Sequence, residues 1–131
     1  ANTYAWNDSL KIFENDRQAY IENWYASGAM YSNAPDLLQF INLLFDNKIL
    51  RKETLKLLTT PGHGNYGYGV WVRDIQWNDK SYKTLQRYGR IRGANVVLFR
   101  FLDKDTTIII LGNTNAVTDL GTLAYEISKM V

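Results

Sequence analysis

The 131-residue chain has no cysteine, one histidine, two prolines and no long apolar run. Without cysteine there is no disulfide framework and no thiolate metal site. The single histidine, His63, sits in Pro61-Gly62-His63-Gly64-Asn65 with no carboxylate motif beside it. That setting argues for an exposed loop residue and against a Ser-His-Asp triad or a zinc centre. No metal and no cofactor is expected. No apolar run approaches the ~18 residues of a helical membrane span, and Ala1–Leu10 lacks the basic-then-apolar pattern of a leader. Aromatics, in contrast, are plentiful: 4 Trp, 9 Tyr and 5 Phe, within a chain that is 46% hydrophobic. Such a composition excludes extended disorder and suffices for one packed core, whole or part of a larger one.

The net charge of +2 conceals an asymmetry. Residues 1–50 carry 3 Lys/Arg against 6 Asp/Glu, and residues 51–131 carry 12 against 7. Lys80, Lys83, Arg87, Arg90, Arg92 and Arg100 follow one another with no acid between them. A field of this kind attracts a carboxylate or phosphate, whereas one short basic stretch is a weak footprint for nucleic acid, which is not expected as a partner. The plainer reading is a solvated strand face with basic residues guarding an edge.

Residues 1–60 read as mostly helical and irregular. Asp16–Trp24 fits a short helix or a loop. From Ser32 the pattern sharpens: Ser32 or Asn33 can cap a helix, Pro35 suits its first turn, and Asp36 complements its positive end. Leu37, Leu38, Ile41, Leu44 and Phe45 then recur at helical spacing, predicting an amphipathic helix over 35–45. A second helix is expected over 50–58, stopping before Thr60-Pro61-Gly62. Pro61–Gly69 is loop-like, with four of the nine glycines. Its Gly62-x-Gly64-x-x-Gly67 spells a nucleotide-binding fingerprint in letters only, because no strand precedes it and no helix opens from it.

Residues 66–112 carry strand periodicity: Tyr68–Gln76, the turn Asn78-Asp79, Tyr82–Tyr88, Val96–Leu102, the turn Asp103-Lys104-Asp105, and Thr107–Leu111. The runs Val96–Phe99 and Ile108–Leu111 are continuously apolar, which calls for cover on both faces of the sheet. Residues 119–130 predict a closing helix, capped by Thr118, with Leu120, Leu123, Ala124 and Ile127 on one side. The fold class is α+β: helices, an antiparallel sheet, and a final helix over one face.

Several stretches together resemble the serine β-lactamase-like family, which includes class C β-lactamases, D-alanyl-D-alanine carboxypeptidases and related esterases. Ser27–Phe40 is similar to its "G-G-L-Y-S-T-A-x-D-L-x-x-F" element. Leu50–Leu58 resembles "L-S-x-E-T-L-x-x-M", Tyr66–Val72 resembles "Y-G-Y-G-W", and Ile108–Asn115 resembles the strand ending "V-V-V-L-T-N". The resemblance runs from Ala26 to Val131 and implies the C-terminal portion of a β-lactamase-like (transpeptidase-like) fold, a single partial domain over 1–131. It also implies acyl-enzyme chemistry on amide or ester bonds and work outside the cytoplasm.

That chemistry needs a Ser-x-x-Lys, in which lysine helps to take the serine proton. No serine here has lysine three positions on: Ser9 meets Ile12, Ser27 Met30, Ser32 Pro35, Ser81 Thr84 and Ser128 Val131. No catalytic residue is therefore assigned, and the chain alone should be inactive. Tyr31-Ser32-Asn33 matches Tyr-x-Asn but lies in the helix-opening element and reads as a cap. For the third cluster, Lys83-Thr84-Leu85 lacks the glycine of Lys-Thr-Gly. Tyr88-Gly89-Arg90-Ile91-Arg92-Gly93 is better placed, resembling "H-G-G-x-I-P-G-F" and appearing one residue short. Tyr88, Gly89, Arg90 and Arg92 are thus the substrate-binding candidates, with Arg90 or Arg92 replacing the charge that a neutral tyrosine lacks. The alternative is that they decorate an edge strand. Expected partners are a carboxylate-bearing small molecule or peptide and, because a partial sheet exposes edges and apolar surface, either a second copy or a complementary N-terminal segment. The other candidate cleft is aromatic: Trp6, Tyr20, Trp24, Tyr25 and Tyr31.

Overall fold

The computed structural model describes residues 2–17 and 20–130. Helix α1 spans Ala34–Phe45, and Asn33 rather than Ser32 caps it. The Asn33 side chain accepts a hydrogen bond from the Asp36 backbone N–H at 2.9 Å and donates one to the Asp36 carboxylate at 2.8 Å, so both ends of the first turn are tied. The short helix α2 spans Lys52–Leu58, beginning later than the spacing predicts because Arg51 is extended. The expectation over Asp16–Trp24 falls partly on Gln18 and Ala19, outside the described residues; beyond them, Ile21–Ser27 forms a 3-10 stretch kinked at Tyr25.

The main sheet has four antiparallel strands in simple meander order: β3 (Trp71–Trp77), β4 (Lys80–Ile91), β5 (Ala94–Phe101) and β6 (Thr107–Gly112). Its first hairpin closes through Asn78 and Asp79, with φ of 50° and 59°, the left-handed pair that a twisted two-residue turn requires. Asp103 accepts the Lys83 backbone N–H at 2.7 Å and Asp105 pairs with the buried Arg100, so both turn aspartates hold the β5–β6 connection.

Residues 1–60 are less helical than their composition suggests. Strands β1 (Tyr4–Asn7) and β2 (Ile12–Asn15) form a separate hairpin. It is held by distant partners: Tyr4 N–H donates to Asn113 C=O at 2.8 Å, Trp6 N–H to the Asn115 side chain at 2.8 Å, and Gly93 N–H to the Asp16 carboxylate at 2.7 Å. A side chain at Gly93 would lie 2.7 Å from the Tyr4 carbonyl oxygen, so this approach requires glycine.

Alternation divides β5 and β6 between two layers. Val97, Phe99 and Phe101 are 1% exposed and pack with Leu120 and Ala124 of helix α3 (Leu120–Ser128), with Ile108 and Ile110 alongside. Asp119, not Thr118, caps α3, accepting the Thr122 N–H at 2.9 Å. On the other face α1 lies against β6, burying Ile41 and Leu44, and the Arg100 guanidinium sits 4.4 Å from the centre of the Phe45 ring. Cover on that face is incomplete, since Leu111 remains 41% exposed.

Candidate functional site

Strand β3 pairs only with the first part of β4, from Trp77 opposite Lys80 to Trp71 opposite Gln86. From Arg87 to Ile91 the other side of β4 continues along β5, but no described strand lies on the β3 side. A strand that is central by order is therefore an edge over its last residues. The candidates Tyr88, Gly89 and Arg90 all lie on this overhang.

Tyr88, Gly89 and Arg90 border one cavity, whereas Arg92 does not. Tyr88 shares a face with Gln86 and Thr84, turned toward α3. Its hydroxyl donates to Gln86 Oε1 at 2.8 Å; Gln86 Nε2 donates to Thr84 Oγ1 at 2.9 Å; and Thr84 donates to the Arg73 carbonyl at 2.9 Å. The ring lies so close to the start of α3 that a side chain at Gly121 would come within 2.9 Å of it. Burial pushes the Tyr88 phenol above its ordinary pKa, with Arg73 acting downward and Asp119 upward, so the hydroxyl stays neutral. Gly89 points to the opposite face, where a side chain would come within 2.9 Å of a Val96 methyl. Arg90 is exposed. Arg92 occupies the β4–β5 turn with φ of 51°, near Asp16, and stands apart from the others.

Among the described residues, cavities open on both faces of the overhang at Gly89. The smaller, about 330 Å³, lies between β4 and α3 and is lined by Tyr88, Gly89, Arg90, Asn95, Asp119 and Gly121 among others. It is a mixed-charge pocket: Arg90 on β4 could hold a carboxylate, but Asp119 at the start of α3 opposes one. The Thr122 hydroxyl and N–H keep the Asp119 carboxyl below the usual carboxylate range, so it is ionised at neutral pH. The larger cavity, about 620 Å³, opens on the α1 face, where Ile41 and Leu44 confront Leu85, Val96, Leu98 and Leu111 across a wall of Ala26, Ser27, Gly28 and Ala29. Among the described residues lining it, Arg87 is the only charged one. Period-two reading of β4 already separates Tyr88 from Leu85 and Arg87; the groove itself depends on where α1 docks, which no local signal gives.

The other sequence candidates stay apart. Trp6, Tyr20, Trp24, Tyr25 and Tyr31 are exposed and line neither cavity. His63 is exposed in a 3-10 turn. Among the described residues no group of three His, Asp or Glu is placed to hold a metal, and no helix is long and apolar enough to cross a membrane.

No protein-family model matches the chain, and no curated protein matches it. Among solved structures it is similar to a penicillin-binding protein from Bacillus halodurans, with a TM-score of 0.63 at 16% identity over 97% of this chain and 40% of that chain. At that identity the likeness establishes the fold: α+β, an antiparallel sheet flanked by helices, corresponding to the C-terminal portion of a penicillin-binding-protein-like fold. The chain spans two-fifths of that neighbour's length.

Proposed function

We propose that this chain is a partial domain, the C-terminal part of a β-lactamase/penicillin-binding-protein-like serine hydrolase acting on amide or ester bonds of the β-lactam or D-Ala-D-Ala type. The observation that carries the reading is the β4 overhang. In a chain with this fold, Tyr88-Gly89-Arg90 lies on a strand edge free to face an extended substrate, at the position resembling the family's third cluster. The serine and its lysine would come from a segment this chain does not contain. What the chain contributes is the wall: backbone groups of the β4 edge for an extended acyl donor, and Arg90 as the cation for its carboxylate. Arg92, turned to Asp16, is the weaker choice of the two. Alone, the chain should give no enzyme-dependent turnover of a chromogenic cephalosporin or an activated ester; a serine-dependent burst would overturn the reading.

A second reading, a non-catalytic binding domain of the same fold, is favoured by one observation. The Tyr88 hydroxyl is already committed to Gln86 and its ring to α3, so the residue at the histidine position serves packing. The upstream coding sequence separates the two: a Ser-x-x-Lys followed by Tyr-x-Asn supports the hydrolase, and their absence the binding domain.

Under both readings the α1-face groove takes a complementary N-terminal segment of the same protein, and without it a second copy. Its open apolar floor supports this. Sedimentation should reveal self-association of the isolated chain, abolished by Leu98→Glu; a clean monomer at high concentration would count against it.

A further inference from the structure

At the far end of the α3 face three rings meet at different tilts. Trp77 and Tyr82 lie 6.0 Å apart at 40°, and Tyr82 and Phe101 lie 5.8 Å apart at 86°. The Lys104 ammonium sits among them, 5.4 Å from the Trp77 ring centre, 4.6 Å from Tyr82 and 5.6 Å from Phe101. None of the three rings lines either cavity described above. Lys104 is flanked in sequence by Asp103 and Asp105, yet among the described residues it forms no ion pair. Asp103 is engaged by the Lys83 backbone and Asp105 by Arg100. The lysine has taken the rings.

We propose that Trp77, Tyr82 and Phe101 form a cation cage for a quaternary ammonium group, with Lys104 as its tethered internal occupant. Ring faces attract any cation, but a primary ammonium is compact and strongly hydrated, so it gives up much solvation on entering. A trimethylated ammonium has no N–H groups to leave unpaired, and its methyl groups make apolar contact with the same rings. The cage therefore suits such a head group better than it suits Lys104. Lysine holds the place because it is attached: the β5–β6 turn keeps it at a high effective concentration beside the rings. Thr106 N–H donates to the Lys104 carbonyl at 2.8 Å, so the residue's backbone is held within that turn.

The test is a titration of the whole chain with tetramethylammonium chloride against sodium chloride at matched ionic strength, followed through the Trp77 indole resonance. Lys104→Ala and Lys104→Gln should each bind tetramethylammonium at least tenfold more tightly than the unmodified chain, with the largest shift at Trp77. Adding Trp77→Ala to Lys104→Gln should remove that gain. The proposal falls if sodium and tetramethylammonium act alike, or if neither variant binds more tightly than the parent. It falls equally if both variants lose the native Trp77 resonance, since the rings would then be packed around lysine and form no cage without it.

Discussion

The two faces of the main sheet differ although the same strands build both. Toward α3, Val97, Phe99 and Phe101 are sealed against Leu120 and Ala124. Toward α1, Val96 and Leu98 are only partly covered, Leu111 is exposed, and a groove of about 620 Å³ separates helix from strands. A continuous apolar run announces two layers, and this chain completes one. The unfinished face adjoins the strand edge at Tyr88–Arg90, so whatever completes it would stand beside that edge.

The strongest challenge to the contrast is a pair of adjacent truncations. Phe99→Ala on the closed face should lose about 3–5 kcal/mol, because it leaves a cavity that interlocked neighbours cannot fill. Leu98→Ala, one residue away on the open face, should cost less, about 2 kcal/mol, since the side chain is only partly buried and borders the groove. Urea unfolding of the two variants measures both. Similar losses would mean that the open face is covered in solution.

A smaller effect sharpens the account of the open face. Asn33→Ala removes the side chain that ties the first turn of α1, the helix whose Ile41 and Leu44 give that face its cover. A loss of about 1 kcal/mol is expected, with increased exposure of Leu111 to hydrogen exchange in its neighbourhood. An unchanged midpoint would show that the helix is held by packing alone.

Tyr88→Phe asks to which face that residue belongs. Loss of the hydroxyl leaves Gln86 Oε1 without its donor, at a cost of about 1 kcal/mol. The pH dependence gives an independent readout. Burial raises the folded-state pKa of Tyr88 above its unfolded value near 10, so its contribution is complete below that value and is lost as pH rises through the folded pKa. The phenylalanine variant should lack this alkaline decline. If both proteins weaken alike above pH 10, Tyr88 is solvated and free for a ligand.

Much of this arrangement was legible in the residues. Asn33-Pro35-Asp36 and the spacing of Leu37, Ile41 and Leu44 mark α1; Asn78-Asp79 marks a hairpin; the two apolar runs mark paired strands. The α3 cap moved by one residue because Thr118 and Asp119 are both competent, and the choice falls to Asp119, which also meets the Thr122 hydroxyl. The β1–β2 hairpin was not legible. Its strands are four residues each, and their anchors, Asn113, Asn115 and Gly93, are distant in sequence. The candidate site was half legible: position along the chain picked out Tyr88–Arg92, but the turn at Arg92-Gly93 separates Arg92 from the rest, and the packing partner of Tyr88 lies on α3.

That hairpin belongs to neither face, and the smallest predicted effect tests whether it acts as an independent flap. Asp16 ties it to the sheet through a carboxylate, accepting N–H from Gly93, and also accepts the Thr3 hydroxyl at 3.2 Å. The Gly93 N–H holds the Asp16 carboxyl below its ordinary pKa, with the Arg17 N–H, Thr3 and nearby Arg92 acting in the same direction. A depressed folded-state pKa contributes stability above the unfolded value near 4, and that contribution disappears as pH falls through the folded one. Acidification from pH 5 to 2 should therefore loosen residues 4–15, read as faster exchange of the Tyr4 and Trp6 amides, while the α3-face core stays protected. Asp16→Asn should produce the same loosening at pH 7 and remove its acid dependence. If the whole sheet loosens with the hairpin instead, the hairpin is part of the cooperative core, and the division of the molecule into one finished and one unfinished layer is too simple.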